Sequence, residues 1–241
     1  MKIVGSEKNS VIEWPGKLSY VIFLEGCNLK CPFCYVPKLV LERNIALSEA
    51  EVLDDIRKRA DWIDAVCITG GEPCINKDLP EFLRKIKDAS SKPIRIETNG
   101  TNPELIEQLI NNKLIEGIAL DIKNCKEKYF LTCNNKTDVK NIEKTITLIK
   151  NSDLDYEFRT TLVPGLHEKQ DILKLAEWIY NLGKGKIKSY CLNQFRADLP
   201  EEETLNPKFL KKGNYSYEKI KDIKKELEKL NYFEKISFRA E

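Results

Sequence analysis

The stretch Gly26-Cys-Asn-Leu-Lys-Cys-Pro-Phe-Cys-Tyr35 places three cysteines, Cys27, Cys31 and Cys34, in a C-x3-C-x2-C pattern. Three thiolates spaced this closely can hold three corners of a [4Fe–4S] cluster, whereas an electron-transfer cluster normally has four cysteine ligands. The missing ligand predicts an iron that is open to a substrate, and therefore chemistry at iron. A zinc site that recruits Cys74 as its fourth ligand is the alternative.

Short apolar runs alternate with amphipathic segments on both sides of this stretch. The apolar runs predict buried parallel strands at 18–24, 65–69, 93–97, 117–121, 155–161 and 187–194, with a short closing strand at 235–239. Helical periodicity and capping signals predict helices at 48–61, 78–89, 103–112, 139–150, 168–182 and 217–230. This alternation implies a parallel α/β sheet. Six units fit the length, so we expect an incomplete (β/α)6 barrel; a doubly wound open sheet is the alternative.

Composition limits the classes of partner and the domain organisation. The 241 residues include 40 basic and 38 acidic side chains, a net charge of +2 that does not favour nucleic acid or an anionic membrane as partner. With no signal-peptide pattern and no long apolar run, we expect a cytoplasmic protein. We expect one domain over 1–241, with a core at about 18–196 and a C-terminal helical extension at about 205–241.

Polar motifs follow the predicted strands at their carboxyl ends. Gly70-Gly71-Glu72-Pro73 follows the second strand, Glu97-Thr98-Asn99-Gly100 ends the third, Asp121-Ile122-Lys123 ends the fourth, and Arg159 lies near the end of the fifth. That edge carries the active site in barrels and open α/β sheets alike. The two glycines expose backbone where a ligand could approach closely.

The residue types at this edge suit an amino acid that carries a flat base. Glu72 can accept hydrogen bonds from an ammonium group, and Lys123 can pair with a carboxylate. Asp121 or Glu97 can bind hydroxyls or a cation, and Phe33 offers an apolar face to a base.

These residues also have structural alternatives. The Gly-Gly-Glu-Pro motif alone could be a plain turn, and Glu97 and Asp121 could cap helices. Lys123 could be a solvated surface residue, and Arg159 could pair with a neighbouring carboxylate.

The other cysteines and the single histidine are expected to be structural. Cys67 and Cys191 lie inside predicted strands and are expected in the core. Cys125 and Cys133 lie eight residues apart in a loop region without two further ligands in range, so we expect no second cluster. His167 follows Pro-Gly in a loop and is expected at the surface.

With these motifs in place, the sequence resembles the radical S-adenosylmethionine superfamily. Cys27-x3-Cys31-x-Phe33-Cys34, followed by Gly-Gly-Glu-Pro at 70–73, carries the resemblance. Within the superfamily the chain is most similar to the glycyl-radical-enzyme activating proteins, especially the anaerobic ribonucleotide reductase activating type. That likeness rests on residues 13–19 and 23–27, Glu97–Gly100, Asp121–Lys123, and Arg159 with Val163-Pro164-Gly165. Activators often have Cys-His-Asn-Pro where this chain has Cys34-Tyr35-Val36-Pro37.

The resemblance implies the cofactors and the residues that bind them. It implies a [4Fe–4S] cluster on Cys27, Cys31 and Cys34, and S-adenosylmethionine bound through its methionyl amine by Glu72 and through its carboxylate by Lys123. The other residues it implies near the cofactor are Phe33, Gly70, Gly71, Thr98 and Asp121, with Glu97, Thr98 and Asp121 as a candidate cation set. Glu13 and Arg159 occupy positions where family members meet the partner's glycine loop.

The resemblance also implies an activity. The reduced cluster splits S-adenosylmethionine into methionine and a 5′-deoxyadenosyl radical, which takes a Cα hydrogen from a glycine of a partner glycyl radical enzyme. The implied partner is anaerobic ribonucleotide reductase, and the implied reductant is a flavodoxin or ferredoxin. Two alternatives remain: a radical enzyme acting on a small molecule, such as a 7-carboxy-7-deazaguanine synthase, or a non-catalytic iron–sulfur or zinc protein.

Overall fold

The computed structural model describes residues 1–41, 46–133 and 137–240. Its strands are β1 (Ile3–Ser10), β2 (Ser19–Leu24), β3 (Ala65–Gly70), β4 (Ile94–Thr98), β5 (Gly117–Asp121), β6 (Asp155–Leu162), β7 (Ile187–Gln194) and β8 (Phe233–Arg239). Its α-helices are α1 (Pro37–Leu41), α2 (Glu49–Arg59), α3 (Leu79–Ser90), α4 (Pro103–Asn111), α5 (Tyr129–Cys133), α6 (Val139–Lys150), α7 (Lys169–Tyr180) and α8 (Tyr217–Lys229).

The predicted alternation of parallel strands and helices is confirmed. The strands follow one another in the sheet in chain order. The pairs β2–β3, β3–β4, β6–β7 and β7–β8 are parallel, and β1 runs antiparallel to β2. The six predicted strands correspond to β2–β7 within one or two residues, and the predicted closing strand is the end of β8. No helix in the described part of the chain is long and apolar enough to cross a membrane.

Strand β1 and the two short helices α1 and α5 were not predicted. Strand β1 reads Ile-Val-Gly-Ser-Glu-Lys-Asn-Ser, with apolar side chains only at its start. Its sequence does not show the apolar pattern of a buried strand. It is stabilised by its pairing with β2, which is interrupted by two register shifts. Helices α1 and α5 have five residues each, too few to display a helical period.

The chain divides into two compact units, each made of segments that are discontinuous in sequence. Unit 1 comprises Met1–Asn28, Lys38–Thr98 and Glu104–Ala119, and unit 2 comprises Leu29–Pro37, Asn99–Pro103 and Leu120–Glu241. The expected single domain, with its core at about 18–196 and its extension at about 205–241, stays a prediction.

Each unit buries an apolar face of its strands beneath helices. In unit 1 the buried set includes Ile22, Leu24, Ile68, Ile96, Ile56 and Phe82. In unit 2 it includes Phe158, Leu192, Ile146, Ile172, Ile223 and Leu227. Each such side chain contributes about 1.5–3 kcal/mol when it leaves water, so these apolar faces hold the strands against the helices. The predicted capping box of α2 is also present, with Ser48 and Glu51 bonded reciprocally.

Candidate active site

In unit 1, the backbone after β3 lies directly against the backbone after β2. Gly71 N donates to Leu24 O at 3.0 Å, and Glu72 N donates to Gly26 O at 2.7 Å. A Cβ atom on Gly71 would lie 1.9 Å from Gly26 O, and one on Gly70, whose φ is +121°, would lie 2.3 Å from Leu24 O. Close packing against the backbone of Leu24 and Gly26 therefore requires glycine at both positions.

The carboxylate of Glu72 is buried at the end of β3, where it is 1% exposed. Its Oε1 accepts hydrogen bonds from Cys74 N at 2.9 Å and from Thr98 Oγ1 at 2.6 Å. A buried carboxylate needs such donors, and they fix its orientation. The structure thus brings together two predicted cofactor residues, Glu72 and Thr98, from neighbouring strand ends.

The adjacent residue Glu97 has a different environment. Its Oε2 accepts a hydrogen bond from Thr69 Oγ1 at 3.0 Å. Successive residues of a strand point to opposite faces, and the different partners of Glu97 and Thr98 follow that rule. The structure does not place these two members of the candidate cation set, Glu97 and Thr98, on one face.

Glu13 lies in the segment between β1 and β2, where it accepts a hydrogen bond from Ser10 Oγ. Burial, with a smaller contribution from the carboxylates of Glu97 and Glu13, raises the pKa of the Cys67 thiol to about 12. Cys67 is fully buried, which confirms its predicted core position. The predicted contact of Glu13 with a partner stays a prediction.

In unit 2, the segment Leu29–Pro37, called the cysteine loop below, contains Cys31 and Cys34. Cys34 N donates to Cys31 O at 3.0 Å, which closes a tight turn. Pro32 O accepts hydrogen bonds from Asn206 N at 3.0 Å and from Thr204 Oγ1 at 3.2 Å. Residues far along the chain therefore hold this loop, and no motif in the sequence pointed to them.

Two aromatic residues of the cysteine loop extend this anchoring. The Tyr35 ring stacks on Phe195 with centroids 5.7 Å apart, and Arg196 N donates to the Tyr35 hydroxyl at 2.6 Å. Phe33 is 5% exposed. Tyr35, which stands where activators often have histidine, thus has a structural role, while the expected contact of Phe33 with a base stays a prediction.

The electrostatic environment favours a thiolate at Cys31. A hydrogen bond from the Cys133 thiol is the largest influence on the pKa of Cys31 and lowers it; burial opposes this effect, and the Lys123 ammonium supports it. Burial raises the pKa of Cys34. The thiolate is the form that binds metal, and a bound metal deprotonates a thiol outright. The donor chemistry of this loop therefore fits iron ligation.

Lys123 and Asp121 form an ion pair after β5, with Nζ 2.8 Å from Oδ2. Burial opposes the charge on Lys123, but Asp121 and the Cys31 thiolate outweigh it and raise the pKa of Lys123 well above its ordinary value. Burial likewise opposes the charge on Asp121, and Lys123 nevertheless holds the pKa of Asp121 below its ordinary value. These influences keep the Lys123 ammonium charged, which is the form that pairs with a carboxylate.

His167 is buried, and its expected surface position was wrong. It is 1% exposed. Val163 N donates to its Nδ1 at 3.1 Å, so Nε2 carries the proton and donates to Lys123 O at 2.7 Å. Tyr215 donates from its hydroxyl to His167 O. His167 therefore holds the backbone at Lys123, a role that its loop position in the sequence did not reveal.

Protonation of His167 is expected to destabilise the fold at mildly acidic pH. Burial is the main cause that lowers the pKa of His167. The Asp171 carboxylate opposes this effect, and the Lys128 ammonium adds to it. The unfolded chain therefore binds the proton first as pH falls through about 6.5. From pH 7.5 to 5.5 we expect a loss of about 1 kcal/mol, or about 2–4 °C in Tm.

Thermal unfolding of wild type and His167→Gln at both pH values measures this effect. Glutamine can still donate to Lys123 O but does not titrate in this range. The variant should lose less stability than wild type over the interval. Equal losses in the two proteins would show that His167 is not the titrating group.

Arg159 lies in an ionic cluster on β6 and β8. Its Nε lies 2.5 Å from Glu157 Oε1, and Arg239 also reaches that oxygen, at 3.1 Å. Arg159 and Glu157 are each 6% exposed. Arg159 therefore pairs with a neighbouring carboxylate, as the alternative interpretation expected. Its contact with a partner's glycine loop stays a prediction.

The three motif cysteines belong to different units, Cys27 to unit 1 and Cys31 and Cys34 to unit 2. Taken by itself, neither unit groups three or more His, Cys, Asp or Glu side chains as a metal site among its described residues. Cys74 is fully buried, and burial together with the Glu72 carboxylate raises the pKa of its thiol. A protonated, buried thiol suits packing better than the zinc ligation considered as an alternative.

Comparison with known families identifies the chain. The sequence model of the Radical SAM superfamily matches residues 21–179. The chain belongs to the radical SAM superfamily. Its cofactors are accordingly a [4Fe–4S] cluster and S-adenosylmethionine, as expected from the sequence. The acidic, cationic and thiolate groups described above have the chemistry that this pair of cofactors needs.

Three curated relatives resemble this radical SAM protein over most of its length. The "Putative glycyl-radical enzyme activating enzyme" of Methanocaldococcus jannaschii is 38% identical over 201 residues, 80% of each chain. The pyruvate formate-lyase-activating enzyme of Listeria monocytogenes is 29% identical, covering 73% of this chain and 75% of the relative. The 7-carboxy-7-deazaguanine synthase of Clostridium acetobutylicum is 28% identical, covering 62% of this chain and 73% of the relative.

A solved structure supports the fold of this radical SAM protein. Streptococcus suis SuiB bound to S-adenosylmethionine matches with a TM-score of 0.66 at 15% identity, covering 90% of this chain and 48% of that one. The chain thus spans about half the length of that structure, and the likeness concerns the fold alone. The predicted fold class, an incomplete (β/α)6 barrel of the radical SAM type, is confirmed.

Proposed function

We propose that the protein is an oxidoreductase that activates a glycyl radical enzyme, with anaerobic ribonucleotide reductase as the partner. The observation that carries this proposal is the 38% identity, over 80% of both chains, to the relative described as a glycyl-radical enzyme activating enzyme. The similarity to a pyruvate formate-lyase-activating enzyme supports the same class. In this activity a glycine Cα of the partner loses a hydrogen atom, and a flavodoxin or ferredoxin supplies the electron.

The proposed residue roles follow the sequence motifs and the observed contacts. When bound, the cluster and S-adenosylmethionine together supply one-electron reductive cleavage, which yields methionine and a 5′-deoxyadenosyl radical. Glu72, oriented by Thr98 and Cys74, accepts the methionyl amine, and Lys123, kept charged beside Asp121, pairs with the carboxylate. The cluster ligands are Cys27, Cys31 and Cys34; the further cofactor contacts are Phe33, Gly70, Gly71, Thr98 and Asp121; and Glu13 and Arg159 contact the partner.

A second candidate function is action on a small molecule. The similarity to a 7-carboxy-7-deazaguanine synthase, at 28% identity, favours this class over other small-molecule reactions. The same groups would then bind the cofactors, and only the substrate would differ.

The test of the proposed function uses anaerobically reconstituted protein with S-adenosylmethionine, a reductant and purified anaerobic ribonucleotide reductase. We expect 5′-deoxyadenosine to form and a glycyl radical to appear on the reductase by EPR. Glu72→Gln keeps an oxygen for Thr98 and Cys74 but loses the charge, so cofactor affinity should fall about 10- to 100-fold. Glu81→Gln, at an exposed position on α3, is the matched control.

Two results would contradict the activase proposal. One is efficient formation of 5′-deoxyadenosine with no glycyl radical on the reductase. The other is formation of 7-carboxy-7-deazaguanine by the purified protein, which would assign it to the second candidate function. Equal cofactor affinity in Glu72→Gln and wild type would overturn the role of Glu72 alone.

A further inference from the structure

Three polar side chains, Thr161, Asn193 and Arg239, form a row across the carboxyl ends of β6, β7 and β8 in unit 2, called the β6–β8 row below. Strand register pairs Thr161 with Asn193, and Asn193 with Arg239. All three residues are half-buried. Active sites lie at the carboxyl ends of parallel strands, so the row is at the functional edge of the sheet, although no motif in the sequence pointed to it.

The β6–β8 row lies on the face of the strands that is turned away from α8. Leu192 is fully buried, and Phe238 packs edge-on against Tyr217 of α8 with centroids 5.1 Å apart. Successive side chains of a strand point to opposite faces, so Asn193 and Arg239 point away from that packing. The row therefore does not serve the apolar core beneath the helix.

Arg239 is anchored at one side and open at the other. Its Nη2 lies 3.1 Å from Glu157 Oε1, which Arg159 also reaches. Strand β7 lies between β6 and β8, so the Arg239 side chain crosses the face of β7. It is 31% exposed, against 7% for the Arg159 side chain. A guanidinium carries five N–H donors, and among the described residues Glu157 is the one acceptor that reaches Arg239, so donors remain for a ligand.

Asn193 and Thr161 supply further donors in the same row. Cys191 Sγ lies 3.4 Å from Asn193 Oδ1, so the amide presents its Nδ2 away from Cys191. Within residues 1–41, 46–133 and 137–240, no acceptor contacts that Nδ2 and no hydrogen bond involves the Thr161 hydroxyl. Half-buried polar groups need partners, so these two groups are available to a ligand.

The charges around the row are balanced once Lys123 has paired with the cofactor's carboxylate. Burial raises the pKa of Asp121, and Lys123 lowers it. The guanidiniums of Arg159 and Arg239 lower it further, so they lie within range of its charge. These two guanidiniums and the two carboxylates, Asp121 and Glu157, together carry no net charge. The balance favours neutral acceptors, such as carbonyl oxygens, over an anion.

The dimensions of the row match a short extended peptide. Neighbouring strands lie about 4.8 Å apart, so three strands place the outer members of the row about 10 Å apart. An extended chain rises about 3.3 Å per residue, and each residue carries one carbonyl. About three residues of peptide therefore cover the three side chains.

We propose that Thr161, Asn193 and Arg239 form a substrate subsite that donates hydrogen bonds to the backbone carbonyls of an extended segment of the partner protein. The proposal rests on the proposed function, which supplies the partner, a glycyl radical enzyme with a glycine loop. Arg239 contributes most, because hydrogen bonds from an ionised donor are the stronger ones.

The kinetics of glycyl radical formation, with the concentration of anaerobic ribonucleotide reductase varied, test the subsite. In Arg239→Gln the KM for the reductase should rise about tenfold while kcat changes less than about twofold. Arg239→Lys keeps a charged donor and should recover part of that loss. Asn193→Asp keeps the shape but replaces the amide donors by an acceptor oxygen, so its KM should also rise about tenfold. Lys235→Gln removes one charge at an exposed position nearer the start of β8 and is the matched control, with the KM of wild type.

Four outcomes would overturn the proposal, provided that circular dichroism shows folded variants. If wild type activates the reductase and neither Arg239→Gln nor Asn193→Asp raises the KM, the subsite is wrong and the proposed function stands. An equal rise in the KM for S-adenosylmethionine would assign Arg239 to the cofactor. If the effect of Arg239→Gln disappears at high ionic strength, an anion occupies the site in place of neutral carbonyls. If wild type forms no glycyl radical on the reductase, the proposed function fails, and the subsite fails with it.

Discussion

Cys31→Ala should abolish cluster assembly and all cleavage of S-adenosylmethionine. Cys31 is nearly buried, and its environment stabilises the thiolate through the Cys133 thiol and Lys123. With only two motif cysteines left, the loop cannot hold three corners of the cluster. The measurement is iron and sulfide content per chain after anaerobic reconstitution, followed by EPR of the reduced protein with and without S-adenosylmethionine.

Cys191→Ala is the matched control for this substitution. Cys191 is a buried cysteine in the interior of β7, with Sγ 3.4 Å from Asn193 Oδ1, and it lies outside the cysteine motif. Its replacement should destabilise the fold by about 1 kcal/mol while the cluster content stays that of wild type. A zinc-loaded, EPR-silent wild-type protein with four sulfur ligands would contradict the iron–sulfur assignment altogether.

The strands were predictable because burial leaves a simple pattern in the sequence. Strands β2–β7 are short apolar runs, and the structure starts and ends them within one or two residues of the predicted bounds. Strand β1 follows a different rule, since an edge strand with exposed polar residues is defined by its pairing with β2. Helix α5 is likewise held by tertiary contacts such as the Asn124–Thr132 hydrogen bond.

The site was predictable in its residues but not in their pairings. The rule that active sites lie at the carboxyl ends of parallel strands selected Glu72, Thr98, Asp121 and Lys123 without knowledge of their contacts. The Glu72–Thr98 bond depends on which face of β4 meets the end of β3, and sequence spacing does not specify that. The burial of His167 depends in the same way on tertiary packing.

Gly71→Ala should destabilise the fold by about 3 kcal/mol or more and prevent cluster assembly. The new Cβ would lie 1.9 Å from Gly26 O and 2.5 Å from Gly26 C, both backbone atoms that cannot rotate away. Relieving the clash requires lengthening the Gly71–Leu24 and Glu72–Gly26 hydrogen bonds. Overpacking costs about 1–3 kcal/mol and each lost hydrogen bond about 1 kcal/mol, against a total stability of about 5–15 kcal/mol.

Urea denaturation of the cluster-free protein, with iron content measured after reconstitution, checks this prediction. Gly5→Ala is the control, because Gly5 lies in β1 of the same unit and a Cβ there meets no atom of the described residues within 4 Å. Gly26 directly precedes Cys27, so the loss of stability and the loss of cluster should occur together in Gly71→Ala. If the glycine served only to let a ligand approach, the cluster-free variant would be as stable as wild type and only its affinity for S-adenosylmethionine would fall. That result would show that glycine is needed at position 71 for ligand binding and not for the close contact with Gly26.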